Sequence, residues 1–172
     1  MITERVVDKA DRPRFIADSM LGSLARRLRM LGIDTAFLRD ASDGELRFVV
    51  RSQERILLSR DCRLVKALGD RAWLVTGSDV REEFTSIASK LAEKGCGSAA
   101  MSRCLECNGR LAPVDPSSAG AKVPPHVLDQ GLDLVSCPEC GKAYWKGTHR
   151  ERMDAEVRWM EEELEKRRRQ VD

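Results

Sequence analysis

The sequence predicts an α/β fold with a mainly parallel sheet, followed by a small cysteine-stapled module and a C-terminal helix. Three observations carry this prediction. Short apolar runs alternate with helical patterns from Arg14 to about Leu91, two C-x-x-C pairs follow, and the chain turns helical again after Gly147.

Arg14-Phe15-Ile16-Ala17, Thr35-Ala36-Phe37-Leu38, Arg55-Ile56-Leu57-Leu58-Ser59 and Ala72-Trp73-Leu74-Val75 are each short, apolar and bounded by polar residues or glycine, as strands are. Helical stretches between them make βαβ units, whose crossovers leave successive strands parallel. Leu21, Leu24, Leu28 and Leu31 recur at helical spacing, with Arg26, Arg27 and Arg29 among the positions between and Gly32 where a C-cap would stand. The first helix is therefore amphipathic with a basic face. Ser42 precedes Glu45 at capping-box spacing, and Leu46, Val49 and Val50 supply the buried side of a second helix. A short third helix runs from Asp61 to Leu68. The fourth runs from Asp79 to about Lys94, with Val80, Phe84, Ile87, Ala88 and Leu91 on one face.

The small residues around Gly95 to Ala100 end a first domain, 12–96. A second module, 101–147, holds two cysteine pairs around a middle rich in Pro, Ser, Ala and Gly, which predicts a long connection with little regular structure. The C-terminal helix, 148–169, carries an apolar stripe of Met153, Val157, Met160 and Leu164 that needs a packing partner. It closes on Arg167-Arg168-Arg169, a basic turn suited to a helix C-terminus.

At 172 residues, 42% hydrophobic and 34% charged, the chain can bury a core and cover it with mixed charge. Thirty basic and 28 acidic residues leave a formal charge of only +2, which neither demands nor excludes nucleic acid. The N-terminal residues lack the apolar stretch of a secretory signal, and no run approaches the ~20 apolar residues of a membrane span. The expected setting is the cytoplasm, with no membrane partner. In that reducing compartment six cysteines do not make a disulfide framework, and two C-x-x-C pairs favour metal. Cys62 and Cys96, outside the pairs, read as small semi-buried hydrophobes.

Cys104, Cys107, Cys137 and Cys140 offer four soft thiolates, the donor set of a closed tetrahedral zinc site. Asn108-Gly109 after the first pair, Pro138 within the second and Gly141 after it suit the tight turns of a zinc ribbon. A redox C-x-x-C is the weaker rival, because the pairs come together and neither opens a helix after a strand. Four thiolates leave no coordination position for substrate, so the zinc is structural and the chemistry lies elsewhere. His126 and His149, the two histidines, read as surface residues rather than ligands.

The acids supply that chemistry. Asp18 follows the first strand, Asp40 and Asp43 the second, Asp61 the third and Asp79 the fourth. The functional crevice of an open parallel sheet lies outside these carboxyl ends. One aspartate after a strand is an ordinary N-cap, but four strands in succession ending this way imply more. Convergent carboxylates repel unless protons or cations neutralise them, and hard Mg²⁺ or Mn²⁺ suits oxygen ligands. Such a site activates water for phosphodiester hydrolysis. Arg26, Arg60 and Arg63, together with Arg27, Arg29 and Lys66, offer positive charge for a phosphate backbone near that mouth.

The stretch Arg14 to Arg26, then Leu38-Arg39-Asp40-Ala41-Ser42-Asp43, then Ile56-Leu57-Leu58-Ser59-Arg60-Asp61 resembles the PIN-like ribonuclease family known as the Mut-seven C-terminal RNase domain. The likeness continues through Ser102 to Gly109, Val123-Pro124-Pro125, Cys137 to Gly141 and Tyr144 to His149. It implies a PIN-like three-layer nuclease domain with an appended zinc ribbon, a metal-dependent ribonuclease activity, and an acid set on Asp18, Asp43, Asp61 and Asp79. Asp40 and Glu45 are reserves, because Asp43-Gly44-Glu45 stands where relatives often carry an acidic pair. The sequence thus leads to an Mg- or Mn-dependent hydrolase of single-stranded RNA, with Arg26, Arg60 and Arg63 binding substrate and the ribbon assisting. The alternative is a catalytically silent RNA- or ribosome-binding adaptor. A phosphatase or phospho-receiver is weaker, since no D-x-D pair follows the first strand.

Overall fold

A computed structural model describes residues 12–97, 99–115, 123, 134–145 and 148–170. Four strands, β1 (Arg14–Ala17), β2 (Thr35–Phe37), β3 (Arg55–Ser59) and β4 (Ala72–Leu74), pair in parallel in the order β2-β1-β3-β4. Helices α1 (Gly22–Met30), α2 (Asp43–Ser52) and α3 (Cys62–Leu68) connect them, and α4 (Val80–Glu93) follows β4. The expected parallel α/β sheet is present, with ends shifted by a residue in β2 and β4.

Alternation along each strand divides the core in two. Phe15, Ala17, Leu58 and Trp73 face α1 and α4, meeting Leu24, Leu28, Phe84, Ile87 and Leu91. Ile16, Leu57 and Ala72 face the other way, against Leu46 and Val50 of α2 and Leu64 of α3. The second helix starts as its sequence requires: Ser42 Oγ accepts from the Glu45 N–H, and Glu45 Oε2 accepts from the Ser42 N–H at 2.8 Å.

The C-terminal helix α5 (Thr148–Arg168) lies on the α1–α4 side. Val157, Met160 and Leu164 are buried there, each contributing about 1.5–3 kcal/mol. Trp159 packs tilted against Phe84 with ring centroids 5.5 Å apart, and the Arg81 guanidinium lies 4.7 Å from the Trp159 ring. Glu156 of α5 accepts from Arg27 of α1 and from Arg81 of α4, both at 2.9 Å.

Strands β5 (Ala112–Pro113), β6 (Leu134–Ser136) and β7 (Ala143–Trp145) form an antiparallel sheet beside the four-cysteine cluster, the zinc-ribbon arrangement. Val123 and Leu134 form its small apolar centre. The ribbon is fastened to the α/β unit by buried polar contacts. Arg29 is 5% exposed, and its guanidinium donates to the carbonyls of Thr35, Leu105 and Glu106 at 2.8–2.9 Å. Asp34 binds Arg55, Arg103 and Asn108, while Leu105 sits in the main core. The basic face read on α1 is thus only partly a face, because Arg29 is an internal clasp and Arg27 is held by Glu156. Among the described residues no helix is long and apolar enough to cross a membrane.

Candidate functional site

The chain leaves β1 for β2 on one side and returns to place β3 and β4 on the other. The carboxyl ends of β1 and β3 therefore flank the point where strand order reverses, and there a doubly wound sheet opens a crevice. Asp18 follows β1 and Asp61 follows β3. Ser59, fully buried at the end of β3, joins them: its hydroxyl donates to Asp18 Oδ2 at 2.5 Å and accepts from the Asp61 N–H at 3.0 Å.

Three of the four aspartates also cap helices. Asp18 Oδ1 accepts from the Met20 N–H at 3.0 Å. Asp61 Oδ1 takes the N–H groups of Arg63 and Leu64, and Asp79 Oδ1 takes those of Arg81 and Glu82. In both, Oδ2 carries no hydrogen bond among the described residues. Backbone donation from Leu64 and Arg63 holds the Asp61 carboxyl below its ordinary range, and Glu82 and Arg81 do the same for Asp79. These groups are anionic at neutral pH with one oxygen to spare.

Asp43 is the exposed first residue of α2, and Asp40, at φ +57°, lies in the turn before it; both follow β2, one strand from Asp18. The Glu45 carboxylate is occupied by the N–H and hydroxyl of Ser42.

An acid that the sequence reading passed over lies on the first turn of α4. Glu83 is 7% exposed, and burial followed by the negative charges of Asp79 and Asp18 pushes its carboxyl up, against the pull of Arg60 and Arg27. Its cation is Arg60, 3.5 Å away, which also donates to the Gly77 carbonyl. Gly77 has φ +139°, and a Cβ there would lie 2.6 Å from the Glu83 nitrogen, so only glycine lets this loop lie against α4. One signal was available: Glu83 falls three residues after Val80 and four before Ile87, on the apolar face of the helix.

The three arginines assigned to substrate differ in their surroundings. Arg60 is engaged by Glu83 and Gly77, and Arg26 pairs with Glu106 at 3.1 Å, both partners half exposed. Arg63 is exposed beside Asp61. Met20 and Leu38, just after β1 and β2, are exposed apolar side chains at the same end of the sheet. His126 and Lys146 lie outside the described residues, as do the side chains of His149 and Arg150.

The second ligand group is more compact. The sulfur atoms of Cys104, Cys107, Cys137 and Cys140 all lie within 4.8 Å of one another, with Cys104–Cys140 at 3.5 Å and Cys107–Cys137 at 3.3 Å. A tetrahedral ion with ~2.3 Å bonds to sulfur separates its ligands by about 3.8 Å, so the tetrad fits one such ion. The Tyr144 hydroxyl lies 3.2 Å from Cys104 Sγ and accepts from the Leu105 N–H, and a Cβ on Gly109 would lie 2.9 Å from Cys137 Sγ. Among the described residues this tetrad is the cluster of three or more ligand atoms close enough to share an ion, so the carboxylates are distributed along the strand ends. Cys62 is exposed and Cys96 buried, and burial raises the Cys96 thiol to about 11.

A family model described as the Mut7-C RNAse domain matches residues 13–157. No curated protein and no solved structure matches the chain.

Proposed function

The chain belongs to the Mut7-C RNase domain family, and on that premise we propose that it is a metal-dependent ribonuclease working at the carboxyl ends of its parallel strands. The observation that carries this reading is the pair Asp18 and Asp61, set on either side of the strand-order reversal and coupled through Ser59. A small hard cation is ordinarily held by one or two carboxylates together with water and substrate phosphate, so the site does not need three acids at one point. Asp18 and Asp61 are the central ligands in this reading, with Asp43 and Asp79 flanking them from β2 and β4. A Mg²⁺ or Mn²⁺ ion supplies an activated water and charge stabilisation at the phosphate.

The chain's own groups set the stage for that chemistry. Ser59 fixes the rotamer of Asp18, and the helix N–H groups fix Asp61 and Asp79 while keeping them ionised. Glu83 holds Arg60 beside the acids, where its charge faces an incoming phosphate. Exposed Met20 and Leu38 give unstacked bases an apolar surface, which favours single-stranded over paired RNA. The cysteine tetrad holds a structural zinc ion, because its four thiolates fill a tetrahedral sphere.

The test is cleavage of a labelled single-stranded RNA by the purified full chain, with and without Mg²⁺ or Mn²⁺. Metal-dependent cleavage supports the proposal. The spread of the carboxylates favours one rival, a silent RNA-binding adaptor, and RNA binding with no cleavage under either metal would establish that instead.

A further inference from the structure

The opposite end of the sheet carries its own cleft. A cavity of about 490 Å³ opens where the amino-terminal ends of β1 and β2 meet the ribbon, lined among others by Arg12, Arg14, Asp34, Arg103 and Arg110. Four arginines face one aspartate, and that aspartate is already satisfied by Arg55, Arg103 and Asn108. Burial opposes the Asp34 charge, but hydrogen bonds from Arg55 and Asn108, with the charges of Arg55 and Arg103, hold its carboxyl below the ordinary range. Among the described residues Arg103 is the one of these four that pairs with Asp34, and Glu139 adds its negative charge near Arg103. Arg14 reaches Glu54 only at 4.0 Å, with the Arg14 side chain half exposed and Glu54 largely in solvent. Arg110 is exposed, with no ion pair among the described residues, and its charge bears on Arg103. Arg12 Nε is buried and has no acceptor among the described residues. A buried donor without a partner is rare in folded proteins, and beside it lies a cavity edged with guanidinium groups.

We infer that this cleft binds backbone phosphates of the RNA strand, at a site distinct from the cleavage centre. Guanidinium forks suit phosphate oxygens in geometry and charge. Parallel pairing puts Arg14 at the start of β1 and Asp18 just beyond its end, so the cleft and the carboxylates are separated by the length of the strand, about 13 Å at ~3.3 Å per residue. A strand passing over the ribbon side reaches both ends of the sheet, and phosphates held at the basic end retain the substrate while the acidic end does chemistry. The choice of RNA as the ligand rests on the ribonuclease reading; the cleft and its charge do not.

The experiment measures binding of a fluorescent single-stranded RNA 12-mer to the zinc-loaded full chain, without Mg²⁺ or Mn²⁺, by anisotropy across a salt series. Inorganic phosphate is titrated in parallel. Arg12→Ala/Arg110→Ala should weaken 12-mer binding about tenfold or more and reduce the salt slope by about 1.4, the loss of two single-strand phosphate contacts. Arg12→Lys/Arg110→Lys should keep most of that slope. Arg110→Glu, at an exposed position, gives the same direction of effect should the double variant fold poorly. Cleavage of a dinucleotide with Mn²⁺ should be unchanged, because it is too short to reach the cleft. Unaltered 12-mer affinity and slope overturn the inference, as does loss of inorganic phosphate binding alone with RNA binding intact. Should the wild-type chain cleave no RNA while the double variant still loses 12-mer binding, the cleft stands and the ribonuclease reading falls.

Discussion

Four sulfur atoms in the ribbon converge to within 4.8 Å of one another, whereas the carboxylates of the α/β unit are held one per turn across four strands. A local turn in each C-x-x-C knuckle, with Asn108 and Gly141 at positive φ, presents two thiolates, and the ribbon sets the knuckles against each other, with Cys104–Cys140 at 3.5 Å and Cys107–Cys137 at 3.3 Å. The carboxylates are brought to one end of the sheet by topology; Asp18, Asp61 and Asp79 each cap a helix as well, while Asp43 is the exposed first residue of α2. The first region is therefore a preorganised ion site that stabilises the fold. The second, under the proposed function, would be completed only by cation and substrate.

The largest expected effect breaks the preorganised side. Cys137→Ser should lower zinc below one equivalent by elemental analysis and unfold the ribbon, since structural zinc contributes on the order of 10 kcal/mol in small modules. The damage should reach the α/β unit as well. Once Leu105 and Glu106 move, the buried Arg29 guanidinium loses two of its three acceptors. A thermal melt of this variant that matches the wild type would show that the two regions are uncoupled.

Next in size, Asp18→Asn should reduce metal-dependent RNA cleavage by about a hundredfold or more, several kcal/mol of transition-state stabilisation, with the fold intact. Glu83→Gln sharpens the contrast between cap and reserve. Its carboxyl is raised in the folded protein, so the stabilisation it gives is present below 4.5 and is lost as pH rises through the folded value. At neutral pH the neutral side chain should melt no lower than the wild type while cleavage falls, as measured by paired melting and activity assays. A lower melting temperature with full activity would make Glu83 a purely structural partner of Arg60.

Asp34→Asn tests the seam between the two regions. The Asp34 carboxyl is depressed from 3.8, so its contribution is present above that value and is lost as pH falls through and below it. The variant should be less stable at pH 7 by about 1.5–3 kcal/mol, the worth of hydrogen bonds to a charged group. The gap from the wild type should narrow below about pH 4 in chemical melts. A gap independent of pH would contradict the assignment. The smallest effect is expected at Arg26, whose half-exposed pair with Glu106 is worth at most about 1 kcal/mol, so Arg26→Ala should barely move the melting temperature. A fall of about 0.7 in the RNA salt slope of that variant would place Arg26 on the substrate path.

What was legible in the sequence follows the same division. The cysteine spacing, the capping box of Ser42 and Glu45, and the four apolar runs are local patterns, and the structure has each where the sequence put it. Arg29 read as part of a basic helix face, yet it is an internal clasp whose ribbon acceptors lie more than 70 residues along the chain. No local periodicity reports such a contact. Ser59 looked like the last residue of a strand, and its coupling of Asp18 to Asp61 arises only because β3 lies beside β1. Glu83 had a local signature, an acid on an apolar helix face, and it acquires meaning only once Arg60 and Asp18 are placed near it.

The most direct measurement of the central claim is paramagnetic broadening by Mn²⁺ in an amide NMR spectrum of the zinc-loaded chain. Cation binding at the strand ends predicts that the amides of Asp18, Ser59 and Asp61 broaden first, while those of Arg14, Asp34 and the ribbon knuckles stay sharp. Uniform weak broadening, or broadening that leaves Asp18 and Asp61 untouched, would contradict the account.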